Sequence, residues 1–109
     1  MVVSDGYTEY ILDQLSYVEN VVSKKMFGGV GLYCDSVFFA LIADDVLYFK
    51  VDDSNRKDYE ERGMGSFKPF GESSYSMQYF EVPADIMEVQ NELGIWAEKA
   101  IDVARRKRK

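Results

Sequence analysis

Two adjacent aspartate pairs, Asp44-Asp45 and Asp52-Asp53, flank one apolar segment and are the residues best suited to holding a divalent cation such as magnesium. Turns and helix starts also prefer Asp, and both pairs fall where a turn and a cap are required, so a structural role is the simpler reading. The run Gly28-Gly29-Val30-Gly31 invites a phosphate-loop reading. It fails the G-x-G-x-x-G spacing, no helix follows it, and no Walker Lys-Ser/Thr is present, so these glycines are read as serving backbone geometry. Lys25-Met26-Phe27-Gly28-Gly29-Val30 echoes the base-stacking strand of an RNA-recognition module, but Gly29 stands where the second stacking ring belongs. The single cysteine, Cys34, is followed by Asp35, and a neighbouring carboxylate raises a thiol's pKa, so a buried structural thiol is expected. There is no histidine, which removes Ser-His-Asp and Cys-His catalysis and the commonest zinc and haem ligands. No catalytic, metal or cofactor-binding residue stands out, and an enzyme is not expected.

These residues sit in a chain of 109 amino acids, 47% hydrophobic and 15% aromatic, which is enough for one packed domain over residues 1–109 and too much for disorder. No apolar run approaches bilayer-spanning length and the amino terminus lacks a signal-peptide layout, so no membrane contact and a cytoplasmic location are expected. Formal net charge is -6, unevenly spread. Arg105, Arg106, Lys107, Arg108 and Lys109 form a basic tail at 105–109, and all 19 acidic residues precede it. An acidic body repels phosphates, so any nucleic-acid contact would rest on those five side chains and be weak or indirect. Cations closing a helix are also favoured by its dipole, which is the plainer explanation of the tail.

The elements follow from periodicity. Tyr7, Ile11, Leu15 and Val18, with Leu12 beside them, form the apolar stripe of a first helix beginning near Asp5. Residues 21–27 and 30–34 read as one bent strand or two short ones, 37–42 as a strand apolar without alternation, and 46–51 as another, with turns at Asp35-Ser36 and Asp44-Asp45. Residues 52–55 supply an N-cap for a polar helix to about Arg62, stopped by Gly63. A second strand pair is expected over 66–70 and 76–82, then a helical turn after Pro83. The last helix carries Leu93, Trp96, Ala97, Ala100, Ile101 and Ala104 on one face, weakened by Gly94. The order α-β(3-4)-α-β(2)-α predicts an α+β fold, a mainly antiparallel meander sheet with helices on one face and Trp96 buried with Leu15 and Phe49.

Strand alternation then assigns faces. Leu47, Phe49, Val51, Phe80 and Val82 suit the core. Val46, Tyr48, Lys50, Met77, Tyr79 and Glu81 point the other way; the first five are the expected protein-interaction residues, since Tyr, Met and Phe are enriched at interfaces. A homodimer through this face or its edge is one expectation.

Several blocks, in order and covering nearly the whole chain, resemble the TfoX N-terminal domain family. They are residues 25–33 (Lys25-Met26-Phe27-Gly28-Gly29-Val30-Gly31-Leu32-Tyr33), 39–44, 47–52, 79–83 and Leu93-Gly94-Ile95-Trp96-Ala97. The resemblance implies a non-enzymatic regulatory domain of the kind found in a regulator of natural competence, which works with a catabolite-activator transcription factor and adds a C-terminal domain. It implies no catalytic residue and no cofactor, and a protein partner in the transcription machinery or one of its regulators. The alternative is a weak nucleic-acid binder acting through Arg105 to Lys109. A small enzyme or metal protein built on the aspartates stands third.

Overall fold

The computed structural model describes residues 5–26, 29–66 and 78–107. The chain opens with helix α1 (Asp5–Gln14), followed by strands β1 (Val21–Met26), β2 (Gly29–Cys34), β3 (Val37–Ala43) and β4 (Val46–Lys50). Helix α2 (Arg56–Glu60), strand β5 (Tyr79–Glu81), the one-turn helix α3 (Ala84–Met87) and the long helix α4 (Gln90–Lys107) complete it. The strands form one antiparallel sheet in the order β1-β2-β3-β4-β5. The α+β meander expected from the sequence is therefore the architecture, and the segment left open as one strand or two is two antiparallel strands. Of the strand expected over 66–70 only Ser66 is described, in an isolated bridge to Phe80.

Two tight turns set the register. Asp35 and Ser36 have φ of 50° and 70°, and Asp44 and Asp45 have φ of 53° and 56°. Left-handed backbone at both central residues marks the mirror-image turns whose twist matches that of the flanking strands. Aspartate tolerates this region better than most side chains, which accounts for the residue type at both corners.

The apolar run in β3 has a physical explanation. Leu32 pairs with Ala40 but Tyr33 pairs with Phe38, so Phe39 is one residue too many. The bulge turns both Phe39 and Ala40 into the core, each fully buried, and sends Phe38 to the opposite face. Alternation fails there because the strand itself slips.

The four helices among the described residues cover the same side of the sheet. Ile11 and Leu15 from the α1 region, Tyr59 from α2, Ile86 from α3 and the α4 stripe share one cluster with Leu32, Ile42, Leu47 and Phe49. Trp96 lies in that cluster with Leu15 and Phe49, and meets Tyr59 edge-on with ring centroids 4.8 Å apart. Arg62 caps the indole from outside, 5.5 Å from its centroid. No helix among the described residues is long and apolar enough to cross a membrane.

The helix expected after the 52–55 cap begins at Arg56 and ends at Glu60, a little short of Arg62, and its entry differs from an ordinary cap. Asn55, the one buried polar residue among those described, makes no cap bond. Its Oδ1 instead accepts from the Asp52 amide at 2.9 Å and its Nδ2 donates to the Lys50 carbonyl at 3.2 Å. The side chain thus closes the strand-to-helix corner rather than the helix end.

Two substitutions test this packing. The Tyr59 hydroxyl is buried and has no hydrogen-bond partner among the described residues, and burial pushes its pKa far above the ordinary value, with Asp58 adding to the effect. Tyr59→Phe keeps the ring and removes an unsatisfied group, so stability should hold or rise by about 1 kcal/mol in chemical denaturation. A loss of that size would mean the hydroxyl is bonded. A Cβ at Gly94 would lie 3.5 Å from the Cβ of Tyr17, an ordinary contact. Gly94→Ala should therefore stabilise the protein by roughly 0.5–1 kcal/mol through helix propensity.

Candidate protein-interaction face

The face of the sheet turned away from the helices is defined by register, because directly opposed residues point the same way. One row runs Lys24, Gly31, Leu41, Tyr48, Glu81 across β1 to β5. A second contains Val22, Tyr33 and Phe38, and continues in the Lys50–Tyr79 pair. Tyr33 stacks on Phe38 with centroids 5.1 Å apart, and Phe38 meets Tyr79 at 5.6 Å. The Lys50 ammonium lies 4.9 Å from the centre of the Tyr79 ring. The result is an aromatic and aliphatic carpet. Tyr33, Phe38, Leu41, Val46, Tyr48 and Lys50 are half-buried, while Val22, Lys24 and Glu81 at the two edges are exposed.

Of the predicted interaction residues, Val46, Tyr48 and Lys50 come together on this face. Tyr79 belongs to it by register but is only 3% exposed. Met77 lies outside the described residues. Two of the phenols here, Tyr79 and Tyr48, are weaker acids than usual. Burial, with Tyr33 nearby, pushes Tyr79 up to about 12. Burial, then Glu81 and Asp44, also raises Tyr48. Near neutral pH both offer neutral hydroxyls rather than charge. Tyr33, Phe38, Leu41 and Lys24 complete the face without having been singled out from the sequence. Alternation from Val22 would have found Lys24, but the bulge that exposes Phe38 left no such signal.

The basic tail is partly tied to the body. Arg105 lies 3.9 Å from the Asp35 carboxylate at the β2–β3 turn. Arg106 donates to the Ser54 hydroxyl at 2.8 Å and to Asp52 at 3.2 Å. Lys107 ends α4, and Arg108 and Lys109 lie outside the described residues. Partial burial works against the Asp52 charge. The Ser54 hydroxyl and amide, then Arg106, outweigh it and hold the carboxyl below its usual range.

The other candidates have structural occupations. Asp44 and Asp45 form the exposed tip of the β3–β4 hairpin. Asp53 pairs with Arg56 in the next turn. Cys34 is buried and its thiol donates to the Glu19 carbonyl at 3.4 Å. Burial, then Asp35, raises the thiol's pKa, which suppresses its reactivity. On the helix side, Tyr17, Asn91, Gly94, Ile95 and Glu98 line a shallow open recess of about 260 Å³.

The sequence profile of the TfoX N-terminal domain matches residues 13–104. Comparison with curated proteins finds no match.

A pH titration checks the tail's anchoring. Because the folded Asp52 carboxyl is held below its unfolded pKa, its contribution to stability is fully present above the unfolded value, about 3.9. That contribution is lost as pH falls through the depressed folded value. Arg106→Ala removes part of what depresses that carboxyl, so wild type and variant should differ in stability at neutral pH and converge in acid. A difference that stays constant with pH would show that Arg106 acts through packing instead.

Proposed function

We propose, on the premise that this chain belongs to the TfoX N-terminal domain family, that it is a non-enzymatic protein-interaction domain with a regulatory role in the cytoplasm, working through the helix-free face of its sheet. The observation that carries the reading is the carpet of Tyr33, Phe38, Leu41, Val46 and Tyr48 on a side that none of the described helices covers. Apolar surface gathered on one side and rimmed by charge is the signature of a binding surface rather than of a reaction centre. The family resemblance supplies the regulatory setting, competence and transcription, with a transcription regulator as partner.

The alternative, nucleic-acid binding through residues 105–109, has less support. Arg105 and Arg106 would have to leave Asp35, Asp52 and Ser54 to meet phosphates. The body's net negative charge opposes the same approach.

A photo-crosslinking amino acid in place of Tyr48, used in living cells, separates the readings. Cross-linking to protein, lost on adding Val46→Asp, is the expected result. A Tyr48 probe that captures no protein would contradict the proposal. So would a tight, sequence-selective DNA complex at physiological salt that disappears when 105–109 are removed.

A further inference from the structure

Lys24 and Glu81 occupy the two ends of one register row, on the first and last strands of the sheet, with Gly31, Leu41 and Tyr48 between them. Both are exposed, and among the described residues neither has an ion-pair partner. The row is thus basic at one end, apolar in the middle and acidic at the other. Five strands spaced about 4.8 Å apart set the two charges roughly 19 Å from each other, too far to satisfy one another within one chain.

A pattern of this kind is complementary to itself. Turn a second copy over about a two-fold axis lying in the interface and parallel to the strands. The row is then reversed, so Lys24 faces the partner's Glu81 and Glu81 faces the partner's Lys24, while Leu41 and Tyr48 meet apolar surface. The Lys50 ammonium falls opposite β2 of the second copy, where the partner's Tyr33 offers a ring face. An axis running across the strands does the reverse, placing Lys24 over the partner's Lys24. The charges therefore select one of the two ways of stacking the faces, and the two-fold relation is the commonest closed symmetry for such contacts. Sheets packed face to face lie about 10 Å apart, a gap that long Lys and Glu side chains at the rim span.

We infer that the helix-free face binds a second copy of this chain, about a two-fold axis parallel to the strands, with Lys24–Glu81 pairs closing both rims. The inference rests on that face being the working surface, and names its occupant.

Charge reversal in the full chain tests it by sedimentation equilibrium. The wild type should dimerise at micromolar concentration. Lys24→Glu and Glu81→Lys should each weaken the dimer about tenfold, because each turns both symmetric pairs repulsive. The double variant, which restores both pairs in reverse, should return to within about twofold of wild type. Both positions are exposed, so thermal melts of the single variants, taken at concentrations low enough that the wild type is monomeric, should match wild type. A wild type that stays monomeric overturns the inference, as do single reversals without effect or a double variant without rescue. If the wild type is monomeric while the Tyr48 probe still captures another protein, the proposed function stands and only this occupant is wrong.

Discussion

Burial of one stripe of α4 against β3 and β4 is the constraint from which the rest of this fold follows. Leu93, Ala97, Ala100 and Ile101 are completely buried there, and the small alanines let the helix approach the sheet closely. Fixing α4 fixes which face of every strand is inside. Leu32, Ala40, Ile42, Leu47 and Phe49 must then point toward it, and their neighbours must point away. The shorter helices fill what α4 leaves open: α1 at one end, α2 with Tyr59 under Trp96, and α3 as the step that turns the chain into α4.

One-sided burial has a consequence for charge. The acidic residues gather in turns and on helix surfaces, and the carboxyl end of α4 is drawn back onto two of them, Asp35 and Asp52. These contacts join the last turn of α4 to the β2–β3 turn and to the exit of β4. The arginines of the tail thereby pin the dominant helix to the ends of the strands that it covers. Exposed pairs of this kind add little stability singly, yet three acceptors on two separate turns define where the helix ends.

The sequence reveals much of this because its signals agree. The helical period of Leu93 to Ala104, the aspartates at both hairpin corners and the alternation of β4 all point to the same sheet. Three features were not legible. The bulge at Phe39 is set by pairing between β2 and β3, which no local pattern in β3 reports. Asn55 reads as a cap by residue type, but its side chain turns back to bond the Lys50 carbonyl and the Asp52 amide. The row from Lys24 to Glu81 joins residues far apart in the chain and exists only once strand register is known. Of the interaction face, Val46, Tyr48 and Lys50 could be read from alternation. Tyr33 follows from its alternation with Leu32 and Cys34, whereas Phe38, beyond the bulge, could not be read so.

The central claim is that the helix-free face is where this domain meets another protein chain. Paramagnetic relaxation by a soluble probe reads both sides of the sheet at once, residue by residue, across a concentration series. Protection that grows with protein concentration at Leu41, Val46 and Tyr48, while Tyr17 and Ile95 keep their accessibility, is the expected result. Accessibility of Leu41, Val46 and Tyr48 that stays constant across the series, alone and with cell extract added, would contradict it.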